Sequence, residues 1–153
     1  MRFAPLTLAV LLAACSPAQV PFSVVFPSEE TFVVTSTMRV RVFPAAASTC
    51  PSLVGRASRD IDISEAALFD RTQIDPCAFR AGISLPDTGS GDRLFLIESF
   101  DDRGNTILVG CSQDEVYGGA SVTVNISTTD RYPMARMENP STQTAAERCA
   151  GGV

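Results

Sequence analysis

An all-β domain, folded as an antiparallel β-sandwich of about seven short strands, is the architecture this sequence predicts. Three observations carry that expectation. Thr37 to Phe43 alternates strictly, with Met38, Val40 and Val42 on one side and Thr37, Arg39 and Arg41 on the other. This is the period-two pattern of a half-solvated strand. Short β-branched and aromatic runs recur between clusters of Gly, Pro, Asp and Ser, the residues that favour turns. No stretch shows a convincing amphipathic helical period.

Taken in order, Phe22–Phe26 and Thr31–Val34 read as two short strands, or one broken edge strand, around Pro27-Ser-Glu-Glu30. Thr37–Phe43 follows, its Arg39 and Arg41 expected to keep an outer face soluble and each to matter by about 0.5 kcal/mol or less. Ala45–Pro51 reads as a loop. Ile61 and Ile63, alternating with Asp60 and Asp62, suggest a short strand, followed by an irregular crossing in which Ser64 could instead cap one helical turn. Asp75-Pro76-Cys77 reads as a turn before a strand in which Phe79, Ala81, Ile83 and Leu85 share a face.

Pro86–Asp92 is rich in turn formers. Leu94–Ile97 is apolar on both faces, the signature of a central strand, and Thr106–Val109 is similar. The two are joined by Asp101-Asp-Arg-Gly-Asn105, a composition suited to a tight connection. Val122, Val124 and Ile126 close the strand series, and from Tyr132 onward both periodicity and apolar content fall away.

Ahead of these elements stands a leader. Met1-Arg2-Phe3 carries one positive charge, Leu6–Leu12 is an apolar core, and two small alanines precede Cys15. The stretch from Phe3 to Ala14 is too short to span a hydrocarbon core, which needs about 20 residues. Leu12-Ala13-Ala14-Cys15 resembles the lipobox of bacterial lipoproteins, in which a peptidase cuts just before a diacylated cysteine. The resemblance implies that Cys15 is lipidated and that the chain hangs from a membrane of the bacterial cell envelope. Ser16, where an aspartate resembles an inner-membrane retention signal, leans towards the outer membrane. The alternative is an ordinary secretory signal with Cys15 an accidental neighbour. The expected organisation is therefore a signal peptide over 1–14, a lipidated N-terminus and tether over 15–21, a sandwich over 22–131 and an irregular tail over 132–153.

Losing Arg2 with the leader takes the net charge from −5 to −6. An acidic chain without a basic cluster is repelled by phosphate backbones, so no nucleic-acid partner is expected, and the acyl chains are left as the membrane attachment. The chain contains no His, no Lys and no Trp. Without His and Lys, the Ser-His-Asp, Cys-His, Ser-Lys, Schiff-base and P-loop chemistries are all excluded. Carboxylates, thiols and tyrosines are what an enzyme would have left, and no cofactor or metal is expected.

Apart from Cys15, four cysteines remain: Cys50, Cys77, Cys111 and Cys149. An even count in an exported chain reads as two disulfides, with three connectivities open. Cys50 with Cys111 is preferred because both flank expected core strands, while Cys77 and Cys149 lie in turn and tail. Asp101, Asp102 and Asn105 could offer oxygens to calcium, though the composition suits a plain turn better. Asp60 and Asp62 could act as paired carboxylates, though two solvated edge-strand acids explain them more simply. Tyr117 and Tyr132 are too few for a sugar-stacking platform.

Leu94 to Val124, with its Asp-x-x-Gly turn and following Gly110-Cys111, resembles small bacterial immunoglobulin-like and carboxypeptidase-regulatory-like domains. That likeness implies an immunoglobulin-like or fibronectin III-like sandwich. The expected function is a non-catalytic, lipid-anchored binding or structural module with a protein partner in the envelope. Its alternatives are a calcium-dependent adhesion module and a carboxylate-based enzyme acting on glycans.

Overall fold

The computed structural model describes residues 19–86, 88–117 and 120–150. Its eight strands form two packed sheets, the sandwich that the alternation predicts. β1 (Gln19–Val25) lies between β4 (Ile83–Pro86), antiparallel to it, and β7 (Val122–Asn125), parallel to it. The second sheet runs in the order β3 (Phe69–Ile74), β2 (Thr37–Pro44), β5 (Gly91–Phe100), β6 (Thr106–Val116), β8 (Ser127–Thr128), antiparallel throughout.

The main core fills the space between the sheets. Phe22, Val122 and Val124 from one sheet meet Met38, Val40, Val42, Phe95 and Ile97 from the other. Phe22 is the hub, with ring centroids 5.8 Å from Phe95 and 6.1 Å from Phe79. A second core lies on the opposite face of the five-stranded sheet, where Leu53 and Ala57 cover Phe43, Leu94, Leu96 and Val109. Leu94–Ile97 is therefore buried on both sides, and the second cover is a helix rather than a third sheet.

Among the described residues, five short α-helices depart from the expected all-strand pattern: α1 (Glu29–Val34), α2 (Cys50–Ala57), α3 (Pro76–Ala81), α4 (Tyr132–Glu138) and α5 (Ala145–Ala150). Thr31–Val34, expected as a strand, belongs to α1. Ser28 and Thr31 cap it reciprocally, which satisfies N–H groups that its β-branched residues would not. The expected loop Ala45–Pro51 ends in α2, which starts at the Thr49 cap with Pro51 in its first turn.

Phe79 and Ala81, expected in a strand, belong to α3. Asp75 accepts from the Cys77 N–H at 2.8 Å, Pro76 opens the helix, and Gly82 ends it at φ +85°, where a side chain would be strained. Only Ile83 and Leu85 of that alternating set are in β4. Ile61 and Ile63 pair with no strand, nor is there a helical turn at Ser64.

The two ends also differ from expectation. β1 begins at Gln19, inside the stretch expected as tether. The tail carries α4 and α5, and α5 is bound back to the domain. Its Ala145 N–H donates to Glu29 Oε1 at 2.9 Å, and Arg148 donates to the carbonyls of Phe32 and Val33 at the end of α1. The Cys77–Cys149 disulfide joins it to α3.

At Gly110 of β6 the chain at the end of β7 comes close. A Cβ there would stand 2.3 Å from the Asn125 carbonyl oxygen and 2.9 Å from the Ile126 Cα, both backbone atoms. Gly110→Ala is therefore expected to force the two segments apart locally, at about 1–3 kcal/mol. Urea denaturation should show a lower midpoint with an unchanged slope, and an unshifted midpoint would contradict this packing.

Candidate functional site

α2 covers only part of the outer face of the five-stranded sheet. It packs on Phe43, Leu94, Leu96 and Val109, and the Cys50–Cys111 disulfide, with Cα atoms 5.3 Å apart, fastens it to β6. The preferred pairing is thus the one the structure forms. Towards the Asp101–Asn105 turn the same face is left without a helix. The chain leaving α2 folds back over it, and a cleft of about 410 Å³ remains, lined by Arg39, Arg41, Asp60, Asp62, Glu98 and Thr106 among others.

The floor of this cleft is a buried ion pair. Arg41 Nη2 donates to Glu98 Oε2 at 2.7 Å, and both residues are 5% exposed. The guanidinium lies 5.8 Å from the centroid of the Phe43 ring, and its Nε–H has no hydrogen-bond partner. Arg41 is thus buried, contrary to its expected place on a solvated face. The register explains why. Arg41 sits opposite Leu96, so the diagonal neighbour on its own face is Glu98. Glu98 was missed from the sequence although its signal was present, since Leu94, Leu96 and Glu98 share one parity and end in an acid.

Arg39 and Asp60, at the rim of the cleft, each have a counter-charge. Arg39 grips Asp70 with two donors, one of them Nε at 2.8 Å, and holds that carboxyl below its ordinary pKa. Asp60, at φ +51°, accepts from Thr106 Oγ1 at 2.6 Å and pairs with Arg131. The Asp62 carbonyl receives Arg56, which also holds Glu65 through Nη1 at 2.6 and 2.7 Å. Asp60 and Asp62 are therefore loop residues with separate attachments, not neighbours on one strand face. Such a cleft offers donors and acceptors to a polar surface with little net charge of its own.

At the same end of the molecule Asp101 is buried and caps its own turn. It accepts from the N–H groups of Arg103 at 3.0 Å and Asn105 at 2.8 Å, and from Asn105 Nδ2 at 2.8 Å. Beside it, α4 is held by an Arg103–Glu138 pair at 2.6 Å and exposes Met134 and Met137, which share one side of the helix. Tyr132 is buried at the start of α4, where desolvation raises its pKa, while Tyr117 is exposed at the other end of the domain. Cys15 lies outside the described residues. Set against protein families, curated proteins and solved structures, the chain matches none.

Proposed function

We propose that this chain is a non-catalytic, lipid-anchored binding module of the bacterial cell envelope that presents its cleft-bearing end away from the membrane. The observation that carries this reading is the polarity of the domain. β1 begins only four residues after Cys15, at the end where β4 stops and β5 starts. The cleft, the Asp101 turn and the two exposed methionines lie at the far end of the same strands. A polar cleft beside a methionine-bearing helix suits a protein surface, since Met side chains adapt to irregular partners. Two packed sheets of short strands support the finer reading, an immunoglobulin-like or fibronectin III-like domain, with α2 as an addition to its outer face. The Ser16 that follows Cys15 favours the outer membrane.

Cys15→Ala is expected to move the protein from the membrane fraction to the soluble one, or to leave it uncleaved. Mass spectrometry of the wild-type N-terminus should find a diacylated Cys15. An unmodified Cys15 or Ser16 there would sink the lipoprotein reading. Pull-down from detergent-solubilised envelope, with the anchored protein as bait, then identifies the partner.

A further inference from the structure

The length of chain between the proposed anchor and the first strand fixes which surface of the domain meets the membrane. Gln19 is the first residue of β1, four Cα steps from Cys15. A fully extended chain covers at most about 3.6 Å per residue, so Gln19 is held within about 14 Å of the cysteine. The polar headgroup layer on each side of a bilayer is about 5–8 Å thick, so the pole that carries Gln19 cannot stand far from it.

That pole can be read from the strand register. Gln19 pairs with Pro86 at the end of β4, and β5 begins at Gly91, opposite Val116 at the end of β6. Tyr117 follows Val116, accepts the Ala120 N–H through its carbonyl at 2.9 Å, and leads towards β7, whose Val122 lies beside Phe22. Tyr117 is 64% exposed, the only aromatic among the described residues left so open. Next to it, Arg93 donates to the carbonyls of Thr88, Gly89 and Ser90 at 2.8–3.2 Å, so its charge serves to hold that loop.

We infer that this pole, with Tyr117 as its contact residue, docks on the headgroup layer of a zwitterionic lipid surface. The inference rests on the lipid-anchored reading. A phenol with an apolar ring and a polar tip suits the boundary between acyl chains and water, where tyrosines concentrate. The nearby charges select the lipid. Asp92 and Glu115 face each other on the rung next to the pole, both exposed, and disfavour an anionic surface. One tyrosine would bind a bilayer weakly, but the acyl anchor supplies the affinity and the ring sets the orientation.

The absence of tryptophan makes a direct test available, because Tyr117→Trp introduces a single indole emitter. The full chain carrying this change, as its host processes it, is reconstituted into phosphatidylcholine vesicles with brominated acyl chains, and vesicle flotation is measured alongside emission. The expected result is flotation with blue-shifted, quenched indole emission from the Tyr117→Trp chain. Met137→Trp, at the far pole, should float equally and stay unquenched. Flotation of the Tyr117→Trp chain without quenching, or equal quenching of both variants, overturns the docking while leaving the anchor intact. Failure to float shows that Cys15 carries no lipid, and both readings fall. Adding phosphatidylglycerol should weaken the quenching, and stronger quenching on that lipid overturns the choice of a zwitterionic surface.

Discussion

Glu98→Ala is expected to destabilise the domain by about 3–5 kcal/mol, as much as a large truncation in the core. The reason is asymmetric. The change removes a carboxylate that fits its place, and it leaves the Arg41 guanidinium buried without its counter-charge. Arginine cannot escape by losing its proton, so the desolvation cost stays with the folded state. Arg41→Ala should cost a similar amount by stranding the buried Glu98. This replaces the figure of about 0.5 kcal/mol expected for a solvent-facing strand position.

The double change Arg41→Met with Glu98→Leu should recover most of the loss, because a paired burial replaced by apolar side chains is often neutral. Chemical denaturation of the three variants separates the possibilities. If Glu98→Ala is nearly neutral while the double change is damaging, the pair is solvated through the cleft and its energetic role is small.

Arg41 also shows what the sequence could and could not convey. Period-two alternation placed it on the face opposite Met38, Val40 and Val42, and that placement is correct. What alternation cannot say is whether the second face is wet. That depended on what the chain from α2 to Ile63 covers; Thr49 and Pro51 mark the start of a helix there, but nothing local says that it packs on a sheet. Two-sided burial of Leu94–Ile97 was legible, because there the alternation is absent altogether.

The missed helices divide into two kinds. Asp75-Pro76 followed by Gly82 is a start and stop signal for a helix, and an overlapping period-two pattern concealed it. Ile83 and Leu85 continue that pattern from helix to strand by coincidence of spacing. α5 had only a start signal, the capping box Thr144-Ala-Ala-Glu147, in which the Glu147 N–H donates to Thr144 Oγ1 at 3.2 Å and the Thr144 N–H to Glu147 Oε2 at 2.7 Å, with no apolar run behind it. It has a single turn or so, and it is held by Arg148, Glu29 and the Cys77–Cys149 bond, all long-range attachments. Of the site, the acids at 60 and 62 and the arginines at 39 and 41 were noticed. Glu98, which fixes the geometry of the cleft, acquires its role only through the β2–β5 register.

Phe95→Ala and Leu96→Ala should both be severely destabilising, by about 3–5 and 2–5 kcal/mol respectively, because each opens a cavity in a separate core. Phe95 is 1% exposed and stacks beside Phe22 between the sheets. Leu96 is fully buried under α2, directly opposite Cys111. The two losses should respond differently to the Cys50–Cys111 bond. With Cys50→Ala and Cys111→Ala in place, α2 is held by packing alone and can settle towards the space that Leu96 vacates. The cost of Leu96→Ala should then fall, whereas that of Phe95→Ala should stay the same, since its side chain lies on the other face of β5, in the core that the disulfide does not touch. Urea midpoints for the single changes, with and without the disulfide, give the comparison. A neutral Phe95→Ala would mean that the inner face of β5 is not packed against β1. Equal sensitivity of both losses to the disulfide would mean that the two cores behave as one.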